Sequence, residues 1–116
     1  MGGQILTGIP AVREIRNHPD LADMSKVWPF ETGFTPAPSA AGGPCIIHAE
    51  IWPGIVGDQL EAGLLRDEAQ VRAMVLWAAI QDANGNLGTQ FDVPIGLNDG
   101  QVGLCIHEEG WILGSG

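Results

Sequence analysis

The sequence predicts a single α/β domain over residues 1–116, a small mixed sheet flanked by about three helices. Three observations predict it. Pro44 to Pro53 is a short apolar run bounded by prolines with two β-branched residues together, Ile46 and Ile47, which is the signature of a buried strand. Asp67 to Asn84 carries cap-like residues at its start, a nearly unbroken apolar middle and Asn84-Gly85 at its end, which is the signature of a helix. A chain of 116 residues with 45% hydrophobic residues has enough apolar surface for one core and no room for a second.

Taken in order, residues 8–17 form the first predicted helix. Pro10 falls in its first turn, where a missing N–H costs little; Leu6, Ile9, Val12 and Ile15 lie on one face, and Asn17-His18-Pro19 ends it. Residues 27–31 read as a short strand whose Pro29 places it at an edge or an irregular end. Thr32 to Gly43, rich in Gly, Pro, Ser and Ala, is a long loop. The central strand over 44–52 follows, and residues 54–63 read as a turn or short helix. In the helix over 67–84, Asp67 fits the N-cap with Gln70 three positions on. Val71, Val75, Ala78 and Ala79 share a face that Met74, Leu76 and Ile80 widen. Asn98 and Gln101 have cap spacing for a third helix over 98–109, with Val102, Cys105 and Ile106 on its buried stripe. The apolar tail Gly110 to Gly114 must bury Trp111.

Net charge is −9, with Arg13, Arg16, Lys26, Arg66 and Arg72 the only fixed cations. Nucleic-acid binders gain affinity by neutralising phosphates, so this field opposes such a partner. No apolar run approaches the roughly 20 residues that cross a bilayer, and no basic-then-apolar leader opens the chain, so a soluble cytoplasmic protein with no membrane partner is expected. Cys45 and Cys105 lack C-x-x-C spacing and read as buried free thiols.

Five stretches then occur in a suggestive order: Gln4 to Pro10 leading into a helix, Val27 to Glu31, His48 to Pro53, Asp67 to Ala73, and Glu108 to Gly114. Together they resemble the C-terminal portion of a group of uncharacterised bacterial proteins whose pattern is similar to the predicted RNase H-like nucleases. The resemblance runs through nearly the whole chain on short motifs. It implies a sheet flanked by helices, with carboxylates from strands and neighbouring helices holding divalent metal ions. Glu50 would correspond to the fourth-strand carboxylate and Asp67 to one near a helix start. The first three strands of that fold, and the aspartate on the first, have no counterpart here. What the resemblance implies is therefore a truncated RNase H-like domain without catalysis.

Glu50 is the most informative residue, because a carboxylate within an apolar strand must be paired, protonated or metal-bound unless it sits at an exposed end. Its readings are an exposed strand end, a salt bridge to Arg72 or Arg66, or a cluster with Asp67 whose oxygen ligands suit Mg²⁺ or Mn²⁺. Asp67 is equally explained by capping. His48 and Glu50, two apart on a strand, could share a metal or act as an acid–base pair, while a histidine there is also explained by a hydrogen bond. Trp28 and Trp52, with His48, could line a small-molecule pocket or simply pack at strand ends.

Three functions follow. The first is a non-catalytic domain acting through self-association, as a homodimer, or through partner binding. The second is a divalent-metal-dependent phosphodiesterase or nuclease using Glu50, Asp67 and Glu31, and the third is a small-molecule binder with a Trp-lined pocket. A dimer is expected because two short strands do not make an independently stable sheet.

Overall fold

A computed structural model describes residues 2–36, 38, 43–56 and 66–115. Helix α1 (Gly2–Asn17) leads through a 3₁₀ turn at Ala22–Met24 into strand β1 (Ser25–Val27). Strand β2 (Ile46–His48) and a 3₁₀ turn at Pro53–Val56 come next. Helix α2 (Arg66–Ala83), a 3₁₀ turn at Gly88–Phe91, helix α3 (Asp99–Leu104) and a π turn at Cys105–Glu109 complete the order. The fold is α/β, as expected, with three α-helices and a two-stranded sheet among the described residues.

The sheet is parallel where a mixed one was expected, in the register Ser25↔Ile46, Lys26↔Ile47 and Val27↔His48. Both strands are shorter than the spans 27–31 and 44–52. β1 ends at Val27 because Trp28 turns its ring into the core and the cis-linked Pro29 has no N–H to offer a ladder. A turn follows, held by Glu31 N–H to the Val27 carbonyl at 2.7 Å and Gly33 N–H to the Pro29 carbonyl at 2.8 Å. Beyond β2 the chain makes one more parallel bridge, Glu50 with Ile112. Trp28 N–H donates to the His48 carbonyl and Leu113 N–H to the Glu50 carbonyl, each at 2.9 Å. Carbonyls two residues apart on a strand point to one edge, so β1 and the C-terminal tail occupy that edge in succession.

The core is built around Trp28, which is 2% exposed. Its ring meets Phe34 and Phe91 edge-on, with centroids 5.5 and 5.7 Å away, the geometry that aromatic quadrupoles favour. Its indole N–H donates to the Phe91 carbonyl at 3.0 Å, and Thr35 N–H donates to the same oxygen at 2.9 Å. Gly88 lets this knot close: a Cβ there would lie 2.5 Å from the Pro36 carbonyl oxygen.

Helix α1 begins upstream of the expected span, so Pro10 lies in its interior, where its absent N–H removes one rung of the ladder. Helix α2 ends with Gly85 at φ 73°. There Asn86 N–H reaches the Gln81 carbonyl at 2.8 Å and Gly85 N–H the Asp82 carbonyl at 3.0 Å, satisfying carbonyls the helix end would orphan. Helix α3 opens with the reciprocal cap its sequence predicts: Gln101 N–H to Asn98 Oδ1 at 2.9 Å and Asn98 N–H to Gln101 Oε1 at 3.0 Å. It then widens to a π turn and stops at Gly110, whose φ of 72° and ψ of −166° only glycine adopts readily. That glycine also seats Phe30, since a Cβ would lie 2.8 Å from its ring. The tail brings Leu113 into the core and Gly114 against the Trp77 ring.

The apolar helix faces do not all turn inward. Ile9, Val12 and Ile15 of α1 are exposed, and so are Val71, Val75, Leu76 and Ile80 of α2; Leu6 lies among side chains outside those described. Within α2 only Ala69 and Met74 are buried. Ala73 to Ile80 are all apolar, so periodicity there cannot tell which side meets the body of the protein. Residues 57–63 of the expected turn, and residues 37 and 39–42 of the expected loop, lie outside the described residues.

Truncating the central ring separates its two roles. Trp28→Ala is expected to cost about 3–5 kcal/mol through cavity formation, and Trp28→Phe about 1–2 kcal/mol, since a ring remains and the indole hydrogen bond goes. Urea unfolding checks this, and equal losses for the two variants would remove the ring's packing from the account, since both lose the indole hydrogen bond.

Candidate functional site

Glu50 lies just past the end of β2, and its side chain is exposed. The bridge to Ile112 carries it beside the tail, where Glu50, Glu109, Gly110, Trp111, Ile112 and Ser115 line an open groove of about 360 Å³. Gly110 makes this groove, because its backbone turns the chain from the π turn back along Glu50. Two acidic residues and a tryptophan line one space. Such a set suits an ammonium or guanidinium group, which carboxylates attract by charge and an indole by its ring face.

The other expected site residues do not line that groove. Asp67 is exposed in the first turn of α2, inside the helix rather than ahead of it, where with Glu68 it complements the positive end of the helix dipole. His48 is half-buried and turned to β1, its Nε2 lying 3.4 Å from the hydroxyl of buried Ser25. Trp28 is the core residue already described. Trp52, 60% exposed, stands outside the groove. Among the described residues, no group of three or more His, Cys, Asp or Glu side chains is placed to hold a metal ion.

Glu31 serves a different arrangement. Arg16, from the last turn of α1, donates through Nε to Oε1 at 2.9 Å and through Nη2 to Oε2 at 2.6 Å, a fork-on-fork ion pair. Val27 N–H adds a bond to Oε1 at 3.0 Å, and Arg16 Nη1 also reaches the Ala22 carbonyl at 3.4 Å. The Arg16 hydrogen bonds, helped by the Val27 N–H and the nearby charge, hold the Glu31 carboxyl below its ordinary range. Both oxygens are engaged, so metal ligation by Glu31 would require this pair to open.

Nothing local in the sequence joins Glu109 and Trp111 to Glu50, since the bridge that brings them together, Glu50 with Ile112, spans distant sequence. The one local signal was Gly110 between Glu109 and Trp111, a glycine at the turn from an acidic helix end into an apolar tail. Both cysteines are free, Cys105 buried and Cys45 half-buried. No helix of the described residues is long and apolar enough to cross a membrane. No family model matches the chain, and neither a curated protein nor a solved structure does.

The Arg16–Glu31 pair makes part of the stability pH-dependent. A carboxyl whose folded pKa is depressed contributes stability above its unfolded value and loses it as pH falls through the lowered folded value. Glu31→Gln is therefore expected to be less stable than wild type near neutrality, with the gap closing as the pH drops below the ordinary glutamate range. Denaturation curves across pH 7 to 2 test it, and a constant gap would show that the charge of Glu31 is not what α1 leans on.

Proposed function

We propose that this chain works as a non-catalytic association domain whose main partner is a second copy of itself. One observation carries the reading: α2 exposes four large apolar side chains, Val71, Val75, Leu76 and Ile80, among its charged residues. Large apolar side chains left exposed along one helix mark an association surface, and a second protein can cover them. Strand pairing is the weaker route, because three-residue strands offer a short template and Trp28 is already enclosed within its own chain. Derivation from a truncated RNase H-like domain and a cytoplasmic setting belong to the same proposal, resting on the residue resemblance and on composition. Light scattering after size exclusion is expected to give twice 12.2 kDa at micromolar concentration. A mass of 12.2 kDa at every accessible concentration would end the proposal.

A second reading is favoured by the groove at Glu50, Glu109 and Trp111, which has the chemistry to hold an organic cation. The net charge of −9 supports it by drawing cations towards the protein. Titration with tetramethylammonium and with arginine is expected to shift the Trp111 indole resonance in wild type and much less in Glu50→Gln. Equal responses in both proteins would exclude Glu50 from any such recognition.

A further inference from the structure

We propose that Arg16 latches a cover over the outer edge of β1, and that the covered edge is a strand-pairing surface for a second copy of the chain. In a strand, the backbone groups of alternate residues point to opposite edges. Trp28 N–H turns towards β2, where it meets the His48 carbonyl, so the groups of Ser25 and Val27 turn the other way. They are not left open. Ser25 N–H donates to the Ala22 carbonyl. Both backbone groups of Val27 are taken by one residue: Glu31 N–H donates to the Val27 carbonyl at 2.7 Å, and Glu31 Oε1 accepts the Val27 N–H at 3.0 Å.

Arg16 stands behind both acceptors. Its Nη1 donates to the Ala22 carbonyl at 3.4 Å, while Nε and Nη2 grip the Glu31 carboxylate at 2.9 and 2.6 Å. One guanidinium thus holds the two pieces of the cover, the 3₁₀ turn before β1 and the turn after it. Between Ile9 and Asn17, every α1 side chain except that of Arg16 is exposed. Among these side chains, Arg16 is therefore the one by which α1 grips the body.

Under the cover the edge complements itself. When two copies of β1 run antiparallel about a two-fold axis at Lys26, Ser25 meets Val27 of the second copy and Val27 meets Ser25, each pair exchanging backbone hydrogen bonds. The Val27 carbonyl has a second lone pair for this, even while Glu31 N–H holds the first. Lys26 then opposes Lys26, a like-charge contact that weakens the pairing. The edge is thus guarded by a lysine as well as by its cover, and unguarded edges are where strands of other chains add. This surface is separate from the exposed side chains of α2. The α2 reading concerns a contact the wild type makes and this one a contact the wild type holds back, so either can fail alone.

The test uses the full chain at pH 7 with Arg16→Asp, Arg16→Lys, and Val27→Pro added to Arg16→Asp. In Arg16→Asp the latch is gone and a carboxylate repels Glu31. Amide exchange followed by NMR is expected to accelerate about tenfold at Ser25 and Val27, the loss of roughly one net hydrogen bond, and to stay at the wild-type rate at Trp28. Sedimentation velocity over a dilution series is expected to show association beyond that of wild type, although the added negative charge by itself opposes it. Arg16→Lys should fall between the two, because an ammonium keeps the charge without the fork. Val27→Pro should abolish the extra association, since it removes the outward N–H that pairing needs. Equal acceleration at Trp28 would show that Arg16 holds the whole body, and slow exchange at Ser25 and Val27 would show that the cover stands without it; either result overturns the latch. An uncovered edge with no extra association, or extra association that survives Val27→Pro, would overturn the pairing surface.

Discussion

The carbonyl of Phe91 accepts the indole N–H of Trp28 and the backbone N–H of Thr35, so both of its lone pairs are used within the core. The rest of the described structure depends on that double acceptance. It joins the end of β1, the turn after it and the 3₁₀ turn that follows α2, and it does so beside the edge-on rings of Trp28, Phe34 and Phe91. A buried indole without an acceptor would cost a kcal/mol or more. With its acceptor in place, the ring sets where β1 stops and therefore how short the sheet is.

Signals that act over a few residues were legible in the sequence. Asn98 and Gln101 cap each other as their spacing indicates, and Asn84-Gly85 closes α2 through a left-handed glycine. Signals set by partners far along the chain were not. The apolar run at 44–52 shows that a strand exists, but its paired length depends on β1 turning away at Trp28, which nothing in the run records. Pro10 suggested the first turn of α1, whereas the helix carries that proline in its interior. Residues Ala73 to Ile80 could mark a core helix but not which side of it faces outward.

The candidate site was legible in the same partial way. Glu50 stood out because a carboxylate is out of place in an apolar strand, and its position just beyond β2 removes the conflict by exposing it. Its neighbours Glu109 and Trp111 arrive through the bridge to Ile112, a contact across most of the second half of the chain. Glu31 reads in the sequence as a third carboxylate, yet Arg16 takes both its oxygens to fasten α1 to the turn after β1. Spacing alone does not distinguish a ligand from a clasp.

The Trp28–Phe91 hydrogen bond also ties the ends of a loop, since its partners are 63 residues apart. Closing a flexible loop of that length costs about 4 kcal/mol in chain entropy, beyond a constant, whereas one hydrogen bond returns about 1 kcal/mol. The bond therefore cannot persist on its own, and neither can the ring contacts without it to orient the indole. Closure and burial must come together. The span between those residues contains β2 and all of α2. A solvent-facing helix can thus owe its placement to a tryptophan it does not have to touch.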